Sequence, residues 1–304
     1  SKYKEWKNAN NNGKGWTVKY YKGLGTSTSK EFKEYFKNKR LITFSYNGNT
    51  SDDAIDKVFN KERADDRKGW LEKYDRDKVL ETNKNQIPYE DFVDKEMIHF
   101  SKYDCERSIP NLIDGFKTSL RKILYAAFKK NLVKEIKVAQ FSGYVSEHSG
   151  YHHGEMSLNK AIVGLAQNYV GANNINVLMP NGQFGTRLEG GKDAASERYI
   201  YTGLNPLTKY IFPEQDTPLL NYLDDDGFMV EPDYYLPIIP MILVNGGKGI
   251  GTGYSYEGLC YNPKQIIKYI KNKINNVEHE NNVDIRPYYE NFKGSIIKLN
   301  ATKF

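Results

Sequence analysis

The chain is short of cysteine, of long apolar runs and of metal-ligand spacing, and each shortage removes a class of protein. Cys105 and Cys260 are the only two cysteines among 304 residues, far apart and without CxxC spacing. Neither a disulfide framework nor a thiolate zinc site is indicated, and a reducing compartment fits. The longest apolar run, 236–244, is nine residues with two prolines, against about 20 residues needed to cross a bilayer, so no membrane partner is expected. His152 and His153 are adjacent and point in different directions at a helix start. With no third ligand at HExxH spacing, zinc is not expected there. Ser1 is followed by lysines and asparagines rather than a secretory signal, and the chain reads as cut from a longer one.

What is present is enough to fold. Hydrophobic residues are 39% and aromatics 13%, so one large or two modest domains can bury a core. Lys plus Arg number 44 against 38 Asp plus Glu, a modest +6, and placement says more than the total. The stretch 117–137 holds Lys117, Arg121, Lys122, Lys129, Lys130, Lys134 and Lys137 against the single acid Glu135. Such a field suits a polyanion, although a solvated helix face has the same composition.

Along the chain, 1–15 reads as a polar loop and 17–21 as a short strand. A glycine turn at 23–29 then leads into a helix at 30–39 capped by Thr28 or Ser29. A strand is predicted at 41–46, helices at 52–60 and 64–80, and a domain boundary at 82–87, closed by Pro88. Helices follow at 89–104 and 117–130. In the second, Phe116, Leu120, Ile123, Leu124, Ala127 and Phe128 form one stripe with the cations mainly off it, the layout of a recognition helix. Leu158, Ala161, Ile162, Leu165 and Ala166 predict a helix at 155–169. Short strands are predicted at 176–187, an apolar strand at 241–244 and a helix at 263–273.

Three stretches carry chemistry. Tyr199 ends the segment GGKDAASERY (190–199); a phenol with a pKa of about 10 needs a neighbouring cation to act as a nucleophile near neutral pH, and Arg198 is adjacent. The YHHGE cluster at 151–155 suits a proton shuttle or phosphate contact, with capping and packing as the bland alternative. The glycine loop 245–253 lacks GxGxxG spacing and is followed by no amphipathic helix, which excludes a dinucleotide site. Its tip residue Ile250 is either an apolar wedge for a base step or a buried side chain in a tight loop.

These stretches resemble the eukaryotic-type type II DNA topoisomerases. The segments that carry the resemblance are YYKGLGTSTSKE (20–31), ADDRKGWL (64–71), ERSIPNLIDGFK (106–117), VAQFSGYVSEHSGYHHGEMSL (138–158), NGQFGTRLEGGKDAASERYIYT (181–202) and LPIIPMILVNGGKGIGTGYS (236–255). They cover nearly the whole chain in one order. Bacterial enzymes of this superfamily divide the Toprim and tyrosine parts between two polypeptides, whereas both lie on this chain, so the fused arrangement fits.

The resemblance implies an α+β fold: the end of a Toprim α/β domain and linker helices at 1–87, a winged-helix domain with the tyrosine at 88–258, and the start of a tower domain at 259–304. It implies transient double-strand cleavage through a 5′-phosphotyrosyl link on Tyr199, with Arg198 as transition-state partner and Arg107 and His153 activating the phosphate. Lys117, Tyr151 and Ser157 match DNA-backbone positions and Ile250 the intercalating isoleucine, with Arg67, Lys68, Arg121 and Lys122 as further DNA contacts. The partners implied are duplex DNA and a second copy of the chain. Mg²⁺, with ligands upstream of Ser1, and ATP, in a module absent here, are the cofactors. The setting is the nucleus, or a host cell or virion for a large DNA virus. Two departures stand out: Thr118 replaces the family's proline, which would loosen the start of the basic helix, and Glu197 adds an acid beside the tyrosine. The competing class is a non-catalytic winged-helix module that only bends DNA, against which Arg107, His153, Arg198 and Tyr199 stand together.

Overall fold

The computed structural model describes residues 2–19, 27–39, 41–81, 83–225, 227–276, 285–300 and 303. Its elements mix helix and sheet. The first part comprises α1 (Lys2–Ala9), α2 (Ser29–Lys37), β1 (Thr43–Ser45), α3 (Asn49–Phe59), α4 (Ala64–Glu72), β2 (Gln86–Pro88), α5 (Tyr89–Phe92) and α6 (Ile98–Ser108). The second comprises α7 (Thr118–Lys129), β3 (Ile136–Lys137), α8 (Val138–Ser149), α9 (Glu155–Ala166), β4 (Tyr201–Thr202), α10 (Pro206–Ile211), β5 (Tyr222–Asp225) and β6 (Phe228–Pro232). It closes with α11 (Met241–Val244), β7 (Gly247–Ile250), β8 (Ser255–Gly258) and α12 (Pro263–Ile274). Among the described residues the strands pair two by two: β1 with β2 in parallel, and β3–β4, β5–β6 and β7–β8 antiparallel.

Most of the periodic segments become helices at their expected places. Thr28 caps α2 in a capping box with Glu31, satisfying first-turn N–H groups. Asn262 caps α12, with Pro263 inside its first turn. The helix predicted at 89–104 is longer, because α5 runs through a π-helical segment, Val93–Met97, directly into α6. The predicted 64–80 helix stops at Glu72.

Several expectations are corrected. Residues 2–9 are helical rather than loop, with Trp6 packed against Tyr3 and Trp16 at ring separations of 6.0 and 5.5 Å. Residues 241–244 form a helical turn, not a strand, since an apolar run this short has no period to read. The segment 176–187 is irregular and joins 201–204 through isolated bridges and a hydrogen bond from Thr202 Oγ1 to Met179 O. Residues 17–19 are not strand; the rest of that strand and the glycines at 23 and 25 lie outside the described residues. Helix α8 has no counterpart among the elements predicted from the sequence.

Two cores result. The smaller one gathers Ala54, Trp70, Leu71, Val93 and Ile98 from α3, α4 and the helix 89–108, so it draws on residues either side of Pro88. Trp70 Nε1 donates to Asp94 Oδ1 at 2.9 Å across the same junction. The larger core is built by α7, α8 and α9, where Ile123, Leu124, Phe141, Val145 and Ile162 are fully buried. Asn174 ties later segments to it: its Nδ2 donates to the carbonyls of Val244, Tyr261 and Tyr288, and its Oδ1 accepts from Glu290 N.

A charged pair is buried where α6 turns into α7. Asp114 is 0% exposed and accepts from Arg121 Nε at 2.7 Å and Nη2 at 3.1 Å, from Phe116 N at 2.9 Å and from Tyr235 N at 2.9 Å. Two ionised groups survive burial only when hydrogen bonds satisfy them this fully. Asp114→Ala, which strands the guanidinium, is expected to cost about 3–5 kcal/mol in denaturant unfolding. Asp114→Leu combined with Arg121→Met should recover most of that, and an unshifted midpoint in Asp114→Ala would show the pair to be solvated instead.

Candidate nucleic-acid interface and catalytic tyrosine

Tyr199 is held by its backbone and free at its ring. Gln167 Nε2 donates to the carbonyls of Phe184 and Gly191, and Asp193 accepts from Thr186 N and Oγ1 at 2.8 Å each, which folds 183–195 into a braced loop. Beyond it, Tyr199 N donates to Ser196 O. The carbonyls of Glu197 and Ile200 accept from Ala139 N and Val138 N, two of the N–H groups left unpaired at the start of α8. The β3–β4 pairing, Lys137 opposite Tyr201, secures the same place. Ile200 is buried while the Tyr199 ring is 70% exposed, and the Arg198 guanidinium lies 5.4 Å from its centroid. The tyrosine segment therefore caps α8 and presents its phenol outward.

The opposite end of α8, about 18 Å along a twelve-residue helix, leads into the histidine turn. Gly150 adopts the left-handed conformation that ends α8. The Tyr151 ring is buried in the main core and meets His153 edge to face at 5.4 Å, and burial pushes its phenol above the ordinary tyrosine range. Tyr151, expected at a DNA backbone, has its ring in the core, where it supports His153 from beneath. His153 and Ser157 are exposed, Ser157 in the first turn of α9.

A third group converges on the β7–β8 hairpin. Ile250 at its tip is 70% exposed, so the buried alternative is excluded. The hairpin lies on the last turn of α6: a Cβ on Gly251 would stand 2.9 Å from Cys105 Sγ, and one on Gly249 would collide with the carbonyl of Ser108. Cys105 Sγ also donates to Thr252 O. Gly253 sits against the Arg67 Cβ and the Lys68 backbone of α4. Arg107 belongs to this α6 turn, 3.4 Å from Asp104 and with its guanidinium 5.5 Å from the Tyr103 ring; its Nε is buried and finds no acceptor among the described residues. Lys117 is the N-cap residue of α7, half-buried. Thr118 does not loosen this start: its hydroxyl donates to Glu106 O at 3.2 Å, tying α7 to α6.

Three expected DNA contacts are engaged elsewhere. Arg121 is consumed by Asp114. Lys122 Nζ donates to Glu231 Oε2 at 2.7 Å and to Ser149 O. The Arg67 guanidinium donates to the carbonyls of Lys57 and Asn60, while Lys68, on the next position, is half-buried and paired with Asp65. Amphipathic spacing puts the two α7 cations off the apolar stripe, but their carboxylate partners, 7 and 109 residues away, are invisible to it. Helix α8, the support of both ends of the site, escapes the period reading although Val138, Phe141, Ser142, Val145 and Ser149, all buried, recur at helical spacing. No helix among the described residues is long and apolar enough to cross a membrane.

The surface so built has an exposed phenol beside a guanidinium and an apolar hairpin tip near cations. The family model for the DNA gyrase/topoisomerase IV A-subunit matches residues 107–304, and that for the C-terminal associated domain of TOPRIM matches 1–105. The chain belongs to the DNA gyrase/topoisomerase IV A-subunit family. It is 51% identical over 299 residues to DNA topoisomerase 2 of Arabidopsis thaliana and 50% identical over 305 residues to that of Saccharomyces cerevisiae, covering 97% and 99% of this chain. It spans 20% and 21% of those curated relatives' own lengths. The crystal structure of the Plasmodium falciparum topoisomerase II DNA-binding, cleavage and re-ligation domain matches at a TM-score of 0.82 and 50% identity, over 99% of this chain and 41% of that one.

The seating of the hairpin is testable without touching Ile250. Gly249→Ala forces a methyl group against the Ser108 carbonyl and is expected to cost about 1–3 kcal/mol, read as a lowered melting temperature. An unchanged melting temperature would show that the hairpin does not rest on α6.

Proposed function

We propose that this chain is the DNA-gripping, cleaving and resealing part of an ATP-dependent, eukaryotic-type type II DNA topoisomerase that relaxes or decatenates DNA. The observation that carries the reading is Tyr199: exposed on a braced loop, with the Arg198 guanidinium over its ring. Its phenol oxygen attacks the scissile phosphorus, the new P–O bond to tyrosine forms, and the P–O3′ bond breaks. The phenol proton is lost and the departing 3′ oxygen takes one up. Because a phosphodiester is exchanged for a phosphodiester, the 3′ hydroxyl reseals the strand by the reverse step, without a ligase cofactor.

Arg198 stabilises the charge of the pentavalent phosphate. Arg107 assists, its side chain being partly exposed on the last turn of α6, where the Ile250 hairpin rests. His153, held on the Tyr151 ring, binds the phosphate or moves a proton, while Lys117, Lys68 and Ser157 contact the backbone. Ile250 enters a base step and bends the duplex, a deformation of about 1–6 kcal/mol.

Two copies acting on opposite strands make a double-strand gate, so the working form is a homodimer. It acts in the nucleus, or in a host cell or virion for a viral version. The domain arrangement we assign is the end of Toprim with linker helices at 1–87, the winged-helix domain at 88–258 and the tower's start at 259–304. Among the described residues no group of three or more His, Cys, Asp or Glu side chains could hold a metal ion. We assign the Mg²⁺ and ATP of the whole enzyme to its other parts on the strength of the family resemblance alone.

In the complete enzyme with Mg²⁺, Tyr199→Phe should abolish the covalent DNA adduct and leave duplex affinity nearly unchanged. An adduct that persists overturns the assignment, and an unsubstituted enzyme that never forms one favours the DNA-bending module. Ile250→Ala should leave the bound duplex straighter, seen as lower energy transfer between labelled duplex ends; an unchanged bend removes the wedge.

A further inference from the structure

The β5–β6 hairpin lies on the histidine turn, and its contacts there serve no step of the cleavage chemistry. The hairpin is itself anchored on α7: Tyr125 Oη donates to Met229 O at 3.0 Å, and Glu231 of β6, 2% exposed, receives Lys122 Nζ at 2.7 Å. The same ammonium donates to Ser149 O, one of the last carbonyls of α8, where a cation offsets the negative end of the helix. From this fixed base Asp225 of β5 reaches across the turn. Its Oδ2 lies 3.3 Å from His152 Nε2. The carboxylate also lies over Gly150, whose φ of +58° favours glycine; a Cβ there would push the Asp225 carboxylate aside.

We infer that Asp225, through His152, is a positioning residue for the His153 imidazole, and that the β5–β6 hairpin is the clamp that holds the histidine turn in its working orientation. The inference rests on the role proposed for His153. Three successive side chains are directed three ways. Tyr151 packs inward, His152 turns onto Asp225, and His153 stays on the outside with its ring against Tyr151. Ser146 Oγ donates to Tyr151 O at 3.4 Å and closes the turn from α8. Releasing His152 frees the backbone between the two fixed points, and loss of orientation of this kind can cost up to about 100-fold in rate even without loss of contact.

The experiment uses the complete dimeric enzyme with Mg²⁺ and a defined duplex, comparing single-turnover adduct formation, duplex affinity and melting temperature. Asp225→Ala is expected to slow adduct formation by roughly ten-fold or more at unchanged affinity and melting temperature. Asp225→Asn, which keeps an acceptor for His152, should retain most of the rate. In a His153→Ala background, Asp225→Ala should add nothing, because residues acting as one unit are not additive. If His153→Ala slows cleavage but Asp225→Ala does not, or if Asp225→Ala is as harmful with His153 gone, the clamp is wrong and the site stands. If His153→Ala itself leaves the rate intact, the role proposed for His153 falls and the inference falls with it.

Discussion

The site depends on a carboxylate with no access to water. Asp114 neutralises Arg121 and receives the backbone N–H groups of Phe116 and Tyr235. It thereby holds the α6–α7 turn, the start of α7 and the segment before α11 to one point. Arg107 precedes this turn, Lys117 follows it, and α11 leads into the hairpin that carries Ile250. Both cations and the hairpin are thus referenced to a single buried charge. The fourfold hydrogen bonding is what makes burial tolerable, and it also fixes direction in a way that apolar packing would not.

Helix α8 performs the second alignment. Its first N–H groups are closed by the tyrosine segment and its last carbonyl by Lys122, so both functional turns are attached to the ends of one rigid rod. Glu231 and Lys122 then couple that rod to the β5–β6 hairpin. The cations given up to this frame are Arg121 and Lys122, and the lysines between 129 and 137 are placed differently. Lys129, Lys130 and Lys137 lie over the rings of Tyr125, Tyr144 and Tyr201, which limits where those charges can swing.

Legibility followed period and length. Helices α7, α9 and α12 are readable because their apolar residues repeat over three turns. Helix α8 is not, because Ser142 and Ser149, both buried, interrupt its apolar stripe with polar residues. Segments 2–9 and 241–244 are too polar or too short for a pattern, and each takes its shape from rings or core residues contributed by other segments. The motif resemblance picked out Tyr199, Arg198, Arg107, His153 and Ile250 in the chain, and the fold leaves Tyr199 and Ile250 exposed. It also implied DNA contacts at Arg121, Lys122, Arg67 and Tyr151, where the fold directs the side chains inward or onto carbonyls.

The sequence by itself determined the family, the amphipathic helices and the positions able to carry the chemistry, since these reside in local spacing and in residue type. Only the tertiary structure decided which charges meet water. That outcome depends on carboxylates and carbonyls brought from distant segments, Glu231 to Lys122 and Asp225 to His152, and desolvation leaves no mark on the local pattern.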